Sequence, residues 1–451
     1  MKPVVKLLRS CGYLSTIYLD DLFLIGQSYK ECKANVNIST ELLRGLGFII
    51  NEEKSNPIPS KTCKFLGLII NSEKLQISLP DDKRSHISKD IKSMLSVKRC
   101  KIRKFAQLVG SLVAACPAIE YGLLYTKEFE RCKFLNLKDD DNYDRHMTLP
   151  DTLLPDLHWW FKAVKHSVRQ IKIDSYCLEI FTDASTTGWG AACGNETASG
   201  VWSREEQEMH INGLELLAAF FGLKVFAKNR TKCQILMRID NSTAIAYINR
   251  MGGIQFPHLT QITKDIWQWC EFRNIYIFAS YIKSAENVVA DAESRRTHPD
   301  IEWELADGAF KEITRKFGHP QVDLFASRVN AKCAKYVSWH RDPDAFAVNA
   351  FTLDWSELYF YAFPPISIIL KTLRKIISDQ ARGIMIVPLW KTQPWYPLFQ
   401  QLVTSELITF KPNGNIMSSH SSNPKIQTSL TLVAGILCGQ RFCDATYQQN
   451  Q

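Results

Sequence analysis

The sequence has no CxxC pair; its 13 cysteines are scattered, and the closest two are Cys438 and Cys443. Such spacing argues for reduced thiols of an intracellular protein and against a disulfide framework. Cytoplasm and nucleus are not distinguished by it. No apolar run reaches the ~18 residues of a membrane span; the stretch 108–119 stops short and contains Pro117. Met1-Lys2-Pro3 has a cation but no continuous apolar core behind it, so no signal peptide is expected. An acidic bias is also missing: the net charge is +9. That basic excess permits a polyanionic partner without requiring one. What remains is 451 residues with a 45% hydrophobic fraction, ample for ordinary cores. The length suits about three domains of ~150 residues. Nothing specifies an oligomeric state.

The stretch 178–296 reads as a complete catalytic domain. An apolar run, Leu178-Glu179-Ile180-Phe181-Thr182, ends in Asp183 and is followed by the turn pair Thr187-Gly188. Second and third strands are expected at 189–193 and 200–203. A helix follows His210, with Leu214, Leu217, Ala218 and Phe221 at the spacing of one buried face and Glu215 beside that stripe. A fourth strand, 233–239, ends in Asp240, and Asn241 or Ser242 caps the next helix. The last strand is 275–281, and Asp291 opens a short helix. Four carboxylates thus stand at strand ends or early in helices, where side chains from distant segments converge.

The first 175 residues hold a different acidic feature. Tyr18-Leu19-Asp20-Asp21 joins two apolar strands as a hairpin turn. Two like charges at ~4 Å and an effective dielectric of ~20 repel by about 4 kcal/mol. A tip carrying both is either solvated or built for a divalent cation. Residues 28–46 are helical in pattern. Residues 82–138 are helical and basic, with Lys83, Arg84, Lys89, Lys92, Lys101, Arg103 and Lys104 punctuating an apolar pattern. Such a face contacts phosphates, with affinity falling steeply with salt, or is the solvated face of a bundle helix. A charged break at 139–145 is a plausible boundary, and 153–168, with Trp159-Trp160, reads as a helical connection.

Tyr18-Leu19-Asp20-Asp21, Leu46-Gly47-Phe48 with Lys54, and Phe65-Leu66-Gly67 together resemble the palm of retroelement reverse transcriptases. The resemblance makes Asp20 and Asp21 metal ligands, 1–80 a partial palm, and 81–175 the thumb and connection, with Lys83, Lys101 and Arg103 as nucleic-acid contacts. The palm's third metal-binding aspartate lies well upstream of this motif in the family. Only 17 residues precede Tyr18, so no nucleotide polymerisation is expected of the chain as given.

Over 176–297 the sequence resembles ribonuclease H, more narrowly the form found in DIRS-like retrotransposons of the tyrosine-recombinase class. The matching residues are Phe181-Thr182-Asp183-Ala184-Ser185 through Gly190, His210 through Leu216, Asp240-Asn241, Gly252-Gly253 and Asn287 through Asp291. The resemblance implies a mixed sheet with helices, and Asp183, Glu215, Asp240 and Asp291 as catalytic ligands of two Mg²⁺ or Mn²⁺ ions. Its implied substrate is the RNA strand of an RNA–DNA hybrid, and its implied partners are that hybrid and DNA. Ser185, Asn241 and His210 become candidate nucleic-acid contacts, although His210 is equally a structural histidine. Trp189 and Trp202 read as packing on the sheet. Two departures stand out. Tyr281 replaces the assisting histidine and shuttles protons poorly near pH 7. Glu293 stands where relatives have leucine, and is expected to face solvent.

Beyond 318 the order strand, helix, strand argues for an α/β layer with parallel pairing. It resembles phage-type adenine methyltransferases over 318–411. The loop Phe363-Pro364-Pro365-Ile366 lacks the polar residue for the target amine and the stacking aromatic, so a scaffold without methyl transfer is expected. Residues 412–451 read as a loosely ordered tail apart from 430–438, and no tyrosine-recombinase domain is expected within the chain. The expected fold class is α/β and α+β multidomain, and the expected activity is ribonuclease H. The alternative is a non-catalytic nucleic-acid-binding relic of a retroelement.

Overall fold

A computed structural model describes residues 2–138, 141–171, 175–296, 303–412, 417–419 and 430–440. The chain is α/β and multidomain, and it divides into two compact units, Met1–Asp174 and Ser175–Gln451, each taken by itself. No helix among the described residues is long and apolar enough to cross a membrane.

In the first unit, strands Ser15–Tyr18 and Asp21–Leu24 form the expected antiparallel hairpin, with Tyr18 opposite Asp21 and Leu19 at φ 50° in the turn. Helix Tyr29–Gly45 starts on Ser28, whose side chain accepts from the Glu31 N–H. Asn35, buried on that helix, donates to the Leu14 and Ile25 carbonyls at 2.9 and 3.0 Å, so both ends of the hairpin are tied to it. Phe23 stacks on Phe65 at 4.9 Å. Phe65 belongs to a four-stranded antiparallel sheet of Thr62–Phe65, Leu68–Asn71, Gln76–Ser78 and Val168–Gln170. The helices Asp81–Leu95, Ile102–Ala115, Lys127–Leu137 and Leu154–His166 bury Ile91, Phe105, Leu112, Phe129 and Trp160.

The charged break does not divide this unit. Arg99–Lys101 pairs antiparallel with His146–Thr148, and the Arg103 guanidinium grips both oxygens of Asp144, so residues flanking the break are held in one ladder. Across the expected boundary at residue 80, Gln76–Ser78 and Val168–Gln170 share a sheet. Asp139 and Asp140 lie outside the described residues. Arg84, counted in the basic face, is structural: its guanidinium donates to the carbonyls of Leu79, Val164 and Ser167.

The second unit contains two sheets. The first has the spatial order Glu196–Val201, Gly188–Cys193, Leu178–Ala184, Gln234–Ile239, Tyr276–Tyr281; its first two pairings are antiparallel and its last two parallel. This is the mixed sheet expected over 176–297. Its third strand begins earlier than expected, because Cys193 turns directly onto Glu196 through Gly194 at φ 59°. Trp202 falls just past that strand. Helix Ile211–Phe226 lies against the sheet and against Pro257–Arg273, so Leu214, Leu216, Ala218, Ala219, Phe221 and Leu223 are all buried.

The second sheet runs Ala347–Val348, Lys335–Ser338, Val322–Asp323, Tyr359–Ala362, Arg382–Pro388, Leu432–Cys438, Ile408–Phe410. The first five strands are parallel and the last two antiparallel. The stretch 430–438, set apart from the expected tail, holds Leu432–Cys438, a buried strand between two others. Its alternate residues fill the apolar cores on both faces of the sheet, which fixes it there. The α/β layer also begins before 318, because Ile313 and Phe317 of helix Asp307–Phe317 pack on Tyr361, Ile384 and Ile386.

Asp323 sits at the end of a central strand of this sheet. Its carboxylate accepts from the Phe325 and Lys332 amides at 3.3 and 3.1 Å, and burial pushes its pKa up to about 6. A folded pKa above the unfolded value stabilises the fold only at low pH, and that contribution is lost as pH rises through about 6. A rise of roughly two units corresponds to about 3 kcal/mol. The stability of Asp323→Asn minus that of the parent is therefore expected to climb by about 3 kcal/mol between roughly pH 4 and 7. Urea denaturation across that range measures it, and a flat difference would refute the assignment.

Candidate carboxylate active site

Asp183 lies on the central strand of the five-stranded sheet, opposite Gly190 in register, and is buried. Glu215, in the second turn of helix Ile211–Phe226, is also buried. Asp240 directly follows strand Gln234–Ile239 and is half-buried; the next residue, Asn241, caps helix Ser242–Asn249 by accepting from the Ala244 amide. Two parallel neighbours and one helix thus bring three acids to one end of the sheet. One oxygen from each lies within 4.8 Å of the other two.

These donors fit a hard divalent cation. All are carboxylate oxygens, as Mg²⁺ and Mn²⁺ prefer. Glu215 Oε2 is buried and has no hydrogen-bond partner. Burial, then the charges of Asp183 and Asp240, push the Glu215 pKa up to about 9. Burial also raises that of Asp183, against the Ser294 hydroxyl that favours its charged form, with Asp240 and Asp291 adding to the rise. A cluster this close and this dry needs positive charge to remain ionised.

The fourth acid is placed differently. Asp291, on helix Val288–Ser294, is near enough to act on the charge of Asp183 but is not in the three-oxygen cluster. Arg295, four residues on, donates to Asp291 Oδ1 from Nη2 at 2.6 Å and from Nε at 3.1 Å. Helix geometry makes that ion pair, and it holds the carboxylate half-exposed.

The other predicted residues are engaged locally. Asn241 uses both ends of its amide, since Nδ2 donates to Asn212 Oδ1 at 3.0 Å. Ser185 shapes the turn after the central strand, accepting from the Gly188 amide and reaching the Ser294 carbonyl at 2.7 Å. His210 caps its helix through Nδ1, which gives the structural alternative a definite role. Trp189 and Trp202 are buried against Phe221. Glu293 does not face solvent: it accepts from Ser199 Oγ at 2.8 Å and pairs with Arg296, because its helix packs on the sheet. Tyr281 is exposed, at the strand end opposite Ile239. In the first unit Asp20 and Asp21 are both exposed, Lys101 is exposed at its helix start, Arg103 is paired with Asp144, and Lys83 is half-buried against Gly67.

Two serines escaped the sequence reading, and one glycine of the matched motif gained a role it had not been given. Ser284 donates to Asp240 Oδ2 at 2.7 Å, and Ser294 Oγ lies 2.7 Å from Asp183 Oδ2. Gly190 permits the closing helix to dock: a Cβ there would stand 2.2 Å from the Ala290 carbonyl oxygen and 2.4 Å from the Ser294 nitrogen. Only Ser294 left a trace in sequence, one helical turn after Asp291.

The site is therefore a carboxylate cluster at the end of a mixed sheet. The chain is similar to Protein P of hepatitis B virus genotype D, 28% identical over 234 residues, which are 52% of this chain and 25% of that protein. It spans about a quarter of that relative's length. Residues 292–429 match the DNA N-6-adenine-methyltransferase (Dam) family. A foamy viral protease-reverse transcriptase in complex with RNA/DNA hybrid is 14% identical, with TM-score 0.33, over 67% of this chain and 41% of that one. Ribonuclease H1 from Halobacterium salinarum is 17% identical, with TM-score 0.22, over 26% of this chain and 92% of that one.

Proposed function

We propose that this chain hydrolyses the RNA strand of RNA–DNA hybrids, using Asp183, Glu215, Asp240 and Asp291 to hold two Mg²⁺ or Mn²⁺ ions. The observation that carries the reading is the meeting of three acids, two of them buried, around the unpartnered Glu215 Oε2. Bound divalent cations supply Lewis-acid stabilisation of the phosphodiester and lower the pKa of an attacking water. The chain's own part is positional. Ser284 and Ser294 orient Asp240 and Asp183, and the sheet end keeps Glu215 out of bulk water. Tyr281 stands exposed where the resemblance places an assisting histidine, so slow turnover is expected. The 2′-hydroxyl and the A-like shape of a hybrid distinguish the cleaved strand. Purified protein with Mg²⁺ or Mn²⁺ is expected to cut the RNA of a labelled hybrid; an intact hybrid under both ions sinks the reading.

The rest of the chain is read as a retroelement of DIRS-like type, from the motifs and their order. Its palm-like hairpin holds Asp20 and Asp21 in solvent and is not assigned the hydrolysis. The C-terminal sheet is a methyltransferase-like scaffold without methyl transfer, because Phe363-Pro364-Pro365-Ile366 lacks the groups that would hold an adenine. The basic helices grip duplex phosphates. Lys101→Ala is expected to lower the slope of log binding constant against log salt by about one, as for one lost phosphate contact. Arg103→Ala should change it less, because Asp144 already holds that guanidinium. Fluorescence anisotropy on a hybrid between low and moderate salt reads both slopes, and an unchanged slope for Lys101→Ala removes it from the interface.

A further inference from the structure

The C-terminal sheet grips the five-stranded sheet at several points, and one is well shielded from water. The Arg328 guanidinium makes a two-pronged pair with Glu206, Nη1 to Oε1 at 2.8 Å and Nη2 to Oε2 at 2.7 Å. Nη2 also donates to the Val201 carbonyl at 3.2 Å, and the guanidinium lies 4.4 Å from the centre of the Phe221 ring. The two side chains are only 18% and 13% exposed. Planar, paired and shielded, this contact differs in kind from the exposed pair Arg341–Glu196.

What Arg328 fastens leads to the acids. Glu206 also closes a capping box with Ser203, which ties the start of the helix Arg204–Gln207 to the residue that precedes it. Within the corner 201–206, the buried Trp202 donates its indole N–H to the Ser185 carbonyl at 2.8 Å. Ser185 Oγ reaches the Ser294 carbonyl at 2.7 Å. Ser294 Oγ stands 2.7 Å from Asp183 Oδ2, with the Asp291 carbonyl 2.9 Å away as competitor for its single proton; the carboxylate is the stronger acceptor. The contacts form an unbroken series from the C-terminal sheet to the most central acid.

We infer that Arg328 and Ser294 are positioning residues for Asp183, and that the C-terminal scaffold serves the cation site by fixing the 201–206 corner. This rests on the hydrolase reading for its purpose, but its contacts stand without it. Groups one step removed from a metal ligand typically change metal affinity or activity by 10- to 100-fold when altered. A mutant cycle measures the coupling directly.

Mn²⁺ titration calorimetry on the full chain would compare the parent with Arg328→Ala, Ser294→Ala, their double variant, and Trp202→Phe. Trp202→Phe removes the indole N–H together with part of a buried ring, keeps an aromatic against Phe221, and serves where Arg328→Ala does not fold. Each single change is expected to weaken Mn²⁺ binding about 10-fold. The double variant is expected to be no weaker than the worse single, as members of one series require. In hybrid cleavage the same variants should lose kcat with KM within about twofold of the parent. Parent-like Mn²⁺ affinity in the single variants, or additive losses in the double, overturns the inference. A parent that binds Mn²⁺ but leaves hybrids uncut sinks the hydrolase reading while the affinities still judge the positioning. Cleavage by the parent with unaffected variants does the reverse, and a parent that binds no Mn²⁺ overturns both.

Discussion

Asp183→Asn is expected to lose cleavage of hybrid RNA by at least about a thousandfold, roughly 4 kcal/mol of transition-state stabilisation, while melting no lower than the parent in EDTA. The two halves of this result come from one cause. Asp183 is buried beside Glu215 and Asp240, and its pKa is raised by that burial against the favourable Ser294 hydroxyl. Without a cation, the native carboxylate is a strained charge, and the neutral amide of the same shape relieves it. With a cation, the charge becomes the reason the ion stays. The parent should therefore gain melting temperature on adding Mn²⁺, as any ligand of the native state provides, and Asp183→Asn should not. Glu215→Gln should behave alike, because Oε2 has no other partner. Thermal melts with and without Mn²⁺, beside a cleavage assay, separate the effects. Parent-like cleavage by Asp183→Asn would end the hydrolase reading outright.

Gly190→Ala should cost about 100-fold in kcat and about 1–3 kcal/mol in stability, although the residue touches no substrate. The added Cβ would meet the Ala290 carbonyl oxygen at 2.2 Å and the Ser294 nitrogen at 2.4 Å. Both are backbone atoms, so no rotamer relieves the clash and the helix Val288–Ser294 must move. That helix carries Asp291, and its Ser294 hydroxyl faces Asp183. A displacement near 1 Å at one side of a catalytic cluster is enough for a loss of that size. Circular dichroism melts and single-turnover cleavage check both parts. Unimpaired cleavage would mean that neither the helix nor its acid needs that seat.

The acids were legible because each interrupts a pattern. Asp183 and Asp240 end apolar strands where a charge is otherwise out of place, and Asn241 announced the cap that follows. The hairpin at Leu19-Asp20 was equally plain, as two apolar strands flank it. The edge strand Glu196–Val201 was misplaced because polar residues alternate weakly along it, and only its pairing with Gly188–Cys193 defines it. The packing of Glu293 depends on a neighbour 94 residues earlier, which no local pattern encodes. The arrest of Asp291 by Arg295 was readable in principle, since four-residue spacing of opposite charges is a helix signal. Ser284 carried no such mark, because a serine hydroxyl gains its meaning from what stands opposite. The strand Leu432–Cys438 was only half-read: its apolar run was visible among polar residues, but its place between two distant strands was not.

That strand bears on how the chain is made. Arg382–Pro388 and Ile408–Phe410 both leave the ribosome before the strand that joins them. Until Leu432–Cys438 emerges, the nascent sheet presents an open apolar edge next to Ile384, Met385 and Ile386, residues that are fully buried once folding ends. Such an edge is a template for pairing with a neighbouring chain on the same polysome. Synthesis rate and chaperone access over this short interval, more than final stability, would then govern how much of the protein escapes aggregation.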